Sequence, residues 1–481
     1  MKRASLSLSI LGFAAGLVLV GCSGSVSGPP VPHPSAIPVA SIQHVVIMVQ
    51  ENRSFENLFA GFPGANAPME GPCKPGPAWC KTAREVPLTP VRLDTGSPSL
   101  GGTDICHSHQ CFKIECDYDK AAQTCRMDGF DLIDFGEIQG GVPAKLYPYR
   151  YVYRSQTQRY WELAQAYALA DNMYSTDTAS SFIAHQEILS GTVALNDDES
   201  LTDQPTAPPW GCDAAPGTET PILLKDGREI YPPNKLTPFP CFTQYKTIAD
   251  LLDAADTSWK YYVMPLPGNP HAEYSGAFWN GFDAIKAVRY SSDWNTHIIR
   301  PNYRVFTNLT AGTLPEVSWV IPTLYDSDHP ASGCNGGPWW VTRVVNAIGT
   351  SRYWKNTAII LLWDDWGGWY DNAPPMQINY TSLGMRVPMI VISPFAKPHY
   401  ISHTLYDFGT ILKFVEQNFG LGSLGTTDAT ANSMNDIFDF TQSPNVFKPA
   451  PLPPVEACGK TDEESPATIR QIIRHAGAPP E

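Results

Sequence analysis

The 481-residue chain predicts an α/β fold, a central sheet flanked by helices and carrying long loop insertions. Short apolar runs rich in Val, Ile and aromatic residues alternate with segments whose apolar residues recur every three or four positions. Polar clusters stand where the apolar runs stop, and in open α/β sheets ligands bind at the carboxyl ends of strands. No internal repeat competes with this reading.

In chain order, strands are expected at Ile42–Val49, Trp259–Met264, Val317–Ile321, Thr357–Trp363 and Arg386–Ile392. Each is short and nearly all apolar, as a strand covered on both faces must be. Helices are expected at Ser155–Ala166, Ser181–Leu189, Thr247–Ala255, Trp339–Ile348 and Tyr406–Phe419. Two stretches, Pro63–Cys125 and Thr202–Pro240, are rich in Pro, Gly and Cys and read as large loop insertions.

The composition bounds the function. With 33 Lys and Arg against 47 Asp and Glu, the net charge of −14 argues against a nucleic-acid grip. Hydrophobic residues make up 43%, enough for a large core, which excludes a disordered or fibrous chain. The N-terminus places Lys2 and Arg3 before an apolar stretch from about Leu6 to Val20, too short to span a bilayer. The stretch runs into Leu19-Val20-Gly21-Cys22, which resembles a bacterial lipoprotein signal. The expected organisation is a signal peptide at 1–21, a tether at 22–40, a catalytic domain at 41–445 and a Pro-rich tail at 446–481 with a short helix at Ala467–His475. Acylated Cys22 would anchor an exported protein to a membrane, facing the periplasm or the cell surface. Ten further cysteines then form an even set, and export favours disulfides over a zinc knot in the run Cys106, Cys111, Cys116, Cys125. The pairing is not legible from spacing.

Candidate chemistry lies in a few short segments. Glu51-Asn52 ends the first strand and supplies two hard oxygen ligands, with Ser54 placed to cap a helix; the bland alternative makes all three capping residues. Asp364-Asp365 follows Ile359-Ile360-Leu361-Leu362-Trp363, and two adjacent acids repel unless a cation or a proton intervenes. Ser180-Ser181 opens a helix, where backbone N–H groups favour an anion, although a lone Ser there is commonly only an N-cap. His107, His185, His329 (after Asp328) and His403 stand beside these segments, each unremarkable by itself.

The run from Ile42 through Glu51-Asn52-Arg53-Ser54-Phe55 resembles the opening motif of the bacterial phosphoesterase family that contains phospholipases C and respiratory-burst-inhibiting acid phosphatases. Met127-Asp128-Gly129-Phe130, Tyr167-Ala168-Leu169-Ala170-Asp171, Leu189-Ser190-Gly191-Thr192, Leu314-Pro315-Glu316-Val317-Ser318-Trp319, Asp364-Asp365-Trp366-Gly367-Gly368-Trp369-Tyr370-Asp371 and Arg386-Val387-Pro388 continue the likeness in order. The resemblance implies an alkaline-phosphatase-like fold and a metal-activated nucleophile. It further implies that Glu51, Asn52, Asp364 and Asp365 hold a divalent cation, that Ser181 is the nucleophile, and that His107, Asp328, His329 and His403 bind phosphate or move protons. Oxygen ligation favours Mg, Ca or Mn before Zn. The chain departs from relatives in Phe182-Ile183-Ala184 after the nucleophile, in Asn372 and in Phe408, and it lacks the C-terminal extension of the large lipid-cleaving members. The expected partner is a phosphate ester, either a small molecule or a phospholipid head group. An inactive surface-binding lipoprotein on the same fold is the alternative, against which the intact Glu51, Asn52, Ser181 and acid pair stand. Sulfate ester chemistry lacks its Cys-x-Pro-x-Arg context.

Overall fold

Eight strands form the central sheet of the computed structural model. They are β1 His44–Gln50, β2 Ala168–Ala170, β3 Trp259–Tyr262, β4 Ile298–Ile299, β5 Val317–Val320, β6 Thr357–Trp363, β7 Met389–Ile392 and β8 Tyr400–Ser402. The model describes residues 41–94, 104–136, 142–178, 180–266, 274–332, 334–376 and 383–455. All belong to one unit spanning Ala36–Glu481. The signal peptide, Cys22, the tether, Cys458 and the expected helix at Ala467–His475 lie outside the described residues.

The strand order is β4-β3-β5-β1-β6-β7-β2-β8. β1 pairs parallel with both β5 and β6, in the register Val46 to Ser318 and Val46 to Ile359. β7 alone runs against its neighbours β6 and β2. The chain leaves Trp363 and re-enters at Met389 with no helix assigned among the described residues between, and without a crossover a returning strand must pair antiparallel. Arg386 thereby reaches the same edge as the carboxyl ends of β1 and β6. The expected strand at Arg386–Ile392 thus starts later, at Met389. β2, β4 and β8, with two or three residues each, are too short to leave a periodic signal.

The expected helices appear as α3 Arg154–Ala166, α4 Ser181–Ser190, α5 Ile248–Ala254, α6 Gly337–Gly349 and α7 Phe408–Phe419, joined by α1 Phe55–Phe59 and α2 His109–Cys116 in the first insertion. β1, β5, β6 and β7 are buried almost throughout, and Trp259, Trp319, Trp340 and Trp363 are completely enclosed, which accounts for the unbroken apolar runs. The insertions are structured rather than bare loops. Glu70–Cys73 pairs with Arg84–Pro87, and Ala194–Asn196, Glu199–Leu201, Ile222–Leu224 and Glu229–Ile230 form a separate four-stranded sheet. Disulfides join Cys73 to Cys80, Cys106 to Cys111, Cys116 to Cys125 and Cys212 to Cys241, so the Cys106–Cys125 run holds bridges rather than zinc.

The segment after residue 445, expected as a Pro-rich surface tail pinned by Cys458, begins as a strap fastened to the body. Asn346 donates to the Ala450 carbonyl at 2.7 Å, and Phe447 packs on Trp354 with ring centroids 5.0 Å apart.

Candidate active site

β1 and β6 are adjacent and parallel, so their carboxyl ends deliver Glu51-Asn52 and Asp364-Asp365 to one place. Three backbone-anchored bonds lock the two turns together: Asp364 N–H to the Gln50 carbonyl (3.0 Å), Asn52 N–H to Asp364 Oδ1 (2.8 Å) and Arg53 N–H to the Asp365 carbonyl (3.0 Å). Glu51 N–H also donates to the Ser327 carbonyl beyond β5 at 2.8 Å, bringing a third strand end into the cluster. Asn52 sits at φ 57°, a left-handed conformation that Asn tolerates. Gly367, at φ 60°, lies so close that a Cβ there would stand 2.3 Å from the Asn52 carbonyl oxygen. Capping is left to Ser54, which accepts from Asn57 N–H at 3.1 Å. Glu51 and Asn52 are therefore free of the capping role.

α4 approaches this cluster with its first turn. Ser180 is the N-cap residue, yet its hydroxyl donates to Gln204 Oε1 at 2.7 Å instead of capping. Ser181, the first helical residue, donates from Oγ to Asp365 Oδ2 at 3.0 Å and stands 3.5 Å from Asn52 Oδ1. His185 lies one turn on along the same face. Its Nε2 is 2.9 Å from Glu51 Oε1 and 3.9 Å from Asp364 Oδ2.

The carboxylates of this acidic cluster are fully buried. Burial pushes the Glu51 carboxyl well above its ordinary value, and Asp364 and Asp365 push it further. Burial, then Asp364, raises Asp365 in the same way, against the opposing pull of His107. Burial brings His185 down to about 4, leaving a neutral imidazole able to act as a ligand. Glu51 Oε2 and Asp364 Oδ2 are buried without a hydrogen bond. Glu51, His185 and Asp364 each present a ligand atom within 4.8 Å of the others. Orphaned buried carboxylate oxygens beside a neutral imidazole fit a divalent cation, since its charge would answer both the desolvation and the mutual repulsion.

A Phosphoesterase family model matches residues 42–422, most of the chain. The chain belongs to the Phosphoesterase family. It is accordingly a phosphoric ester hydrolase. The chain is similar to Phospholipase C B of Mycobacterium tuberculosis, 24% identical over 85% of this chain and 80% of the relative. It is also similar to Hemolytic phospholipase C of Pseudomonas aeruginosa, 24% identical over 84% of this chain and 56% of the relative. Among solved structures, a protein of the alkaline phosphatase superfamily from Vibrio parahaemolyticus superposes with a TM-score of 0.34 at 11% identity, over 66% of this chain and 78% of that one.

The remaining expected site residues of this phosphoesterase divide. His107, held between the bridged Cys106 and Cys111, places Nε2 2.9 Å from Asn52 Nδ2 and Nδ1 2.7 Å from the Ile105 carbonyl. Burial works to lower its pKa, but Asp365 and Asp104 outweigh burial and bring it to about 9. His329 is buried beside the cluster, and burial lowers its pKa against the pull of Asp104. Asp328 turns aside: its Oδ2 accepts from Tyr160 Oη at 2.7 Å and Trp363 Nε1 at 3.2 Å, and its carbonyl accepts from Arg53 Nε at 2.8 Å. Such an arrangement positions the His329 turn. His403 is not brought to Ser181. It is two-thirds exposed and paired with Asp171 at 2.8 Å, because β8 is the outermost strand, three places from β6.

The residue that sequence reasoning noted but left unassigned is His185. Its signal was the four-residue spacing from Ser181, which puts both side chains on one helix face.

Proposed function

We propose that this hydrolase is metal-dependent and cleaves phosphate esters through Ser181, with a covalent phosphoserine intermediate. The observation that carries the reading is the Ser181 hydroxyl, at the first turn of α4, bonded to Asp365 at 3.0 Å and facing the Glu51, Asn52 and Asp364 cluster. Glu51, Asp364 and Asp365, with Asn52 and His185, would hold the cation, which when bound supplies positive charge to the nonbridging phosphate oxygens and to the serine oxygen. A nitrogen donor beside the oxygens moves Zn up among the candidates Mg, Ca, Mn and Zn.

The chain's own groups account for the rest. The first-turn amides of α4 favour the bound phosphate. Ser181 Oγ forms the bond to phosphorus as the bond from phosphorus to the alcohol oxygen breaks, and the hydroxyl proton moves toward its acceptor, Asp365 Oδ2. The departing oxygen takes up a proton, and His107, whose Nε2 lies 2.9 Å from Asn52 Nδ2, is the imidazole that supplies it. Water then attacks phosphorus and gives a proton back to His107, the bond to Ser181 Oγ breaks, and the serine recovers its proton from Asp365 Oδ2. The phospholipases C among its relatives extend the substrate class to phospholipid head-group esters, alongside soluble monoesters. We also propose that the mature protein is exported and anchored through acylated Cys22.

The test is turnover of p-nitrophenyl phosphate by wild-type and Ser181→Ala protein in added Mn, with and without chelator. Ser181→Ala should lose activity by roughly three orders of magnitude or more while still binding metal. A folded Ser181→Ala enzyme with near-native turnover overturns the nucleophile.

A further inference from the structure

A cavity of about 590 Å3 lies against the residues that flank Ser181, between the N-terminus of α2, the loop after Leu201 and the segment around Phe278. It is tied to the active site from both sides. Gln204 on its wall accepts the Ser180 hydroxyl, one residue before the nucleophile, and the Trp210 ring stands 6.1 Å from Phe182, one residue after it. Gln110, also on the wall, lies three residues beyond His107. A phosphate at Ser181 therefore has this cavity as a neighbouring space for the rest of its ester.

The walls combine ring faces with hydrogen-bonding groups. Trp210 and Phe278 meet edge to face with centroids 4.6 Å apart, and Tyr231 adds a third ring. Among the described residues Gln110 makes no side-chain hydrogen bond and Gln204 engages only its carbonyl oxygen, so amide donors are left for a ligand.

Asp203 is the only acid on the wall among the described residues, and its oxygens already accept from His109 N–H at 2.8 Å and Tyr231 Oη at 2.9 Å. Glu229 behind it is paired with the Lys113 ammonium. An organic cation would find ring faces and one carboxylate already engaged by two hydrogen bonds, with Lys113 opposing it. A neutral, hydroxylated ring finds both a stacking face and free amides.

We propose that the cavity bounded by Trp210, Tyr231, Phe278, Gln110 and Gln204 is a subsite for the alcohol part of the ester, selecting an uncharged polyol. The proposal rests on the Ser181-centred reading and deepens it. It is tested by kcat/KM of the Mn-loaded enzyme on three esters: myo-inositol 1-phosphate, ethyl phosphate and phosphocholine. The inositol ester should exceed the other two by about tenfold or more, the discrimination expected when built-in hydrogen bonds find or lack partners. Trp210→Ala and Gln204→Leu should each bring that ratio toward one, acting through KM. Preference for phosphocholine overturns the proposal, as does an equal loss on all three esters in the Trp210 variant. Calorimetry with metal-loaded Ser181→Ala protein reads the same preference without turnover. If turnover persists in Ser181→Ala protein, the nucleophile reading fails separately; if the inositol ester binds no tighter than ethyl phosphate, the subsite fails.

Discussion

Asp364→Asn separates the charge of the acidic cluster from its shape. The asparagine keeps an oxygen able to accept from Asn52 N–H, so the β1 to β6 clasp survives. What it removes is one carboxylate whose ligand atom lies within 4.8 Å of that of Glu51. Two unit charges at that distance repel by about 3 kcal/mol at an effective dielectric of about 20. Protonation of the raised Glu51 and Asp365 relieves part of this in the metal-free protein, so the variant without metal should melt at or above the wild-type temperature. Added cation should reverse the ranking. A metal present at about 1,000 times its dissociation constant stabilises the folded state by about 4 kcal/mol. A chain of this length unfolds with an entropy of about 1 kcal/mol/K, so the wild type should gain about 4 °C. Asp364→Asn should gain almost nothing and lose turnover. Differential scanning fluorimetry with chelator and with 1 mM Mn, paired with p-nitrophenyl phosphate hydrolysis, reads both quantities. An Asp364→Asn enzyme that keeps the wild-type metal shift and activity would refute the assignment of this cluster as the metal centre.

The metal-free protein should be more stable at pH 5.5 than at pH 8. Burial raises Asp177 and Asp283 to about 7 and Asp203 and Asp407 to about 6, so the folded state holds protons that the unfolded chain has released; their contribution is complete below about pH 4 and is lost as pH rises through 6 to 7. His109 and His185, lowered to about 4, act in the opposite sense below pH 6.5 but are fewer, and a melting temperature that rises from pH 5.5 to 8 in chelator would contradict the account. Loss of the Cys212–Cys241 bridge, which closes 29 residues, should cost about 3.6 kcal/mol on a chain-entropy argument, against about 2 kcal/mol for Cys106–Cys111, which closes five. Activity should rank the other way, because Cys106–Cys111 holds His107; denaturant titrations and turnover of the paired Cys→Ser variants check both orders. Cys22→Ala should move the protein from the membrane to the soluble exported fraction on cell fractionation, and unchanged membrane association would refute the lipid anchor.

The sequence by itself determined the sheet and its edge. The runs Val45–Val49 and Ile359–Trp363 are apolar without interruption because helices or loops cover both faces; one stops at Gln50-Glu51 and the other at Asp364, which marks the carboxyl end where chemistry collects. The ordered motifs named the family and picked out Glu51, Asn52, Ser181 and the acid pair, which stand within a few residues of a strand or helix end. Tertiary structure decided everything that depends on strand order and direction. β7 runs backward because no crossover helix precedes it, and that reversal carries Arg386 to the active edge, where it binds Asp371 at 2.9 Å. His403 follows a strand as Asp364 does, yet its strand is outermost and its ring faces solvent. Periodicity reports which face of an element is buried, not which neighbour buries it. Only the packed sheet could bring His185 to the carboxylates and His107 to Asn52 while leaving His403 outside.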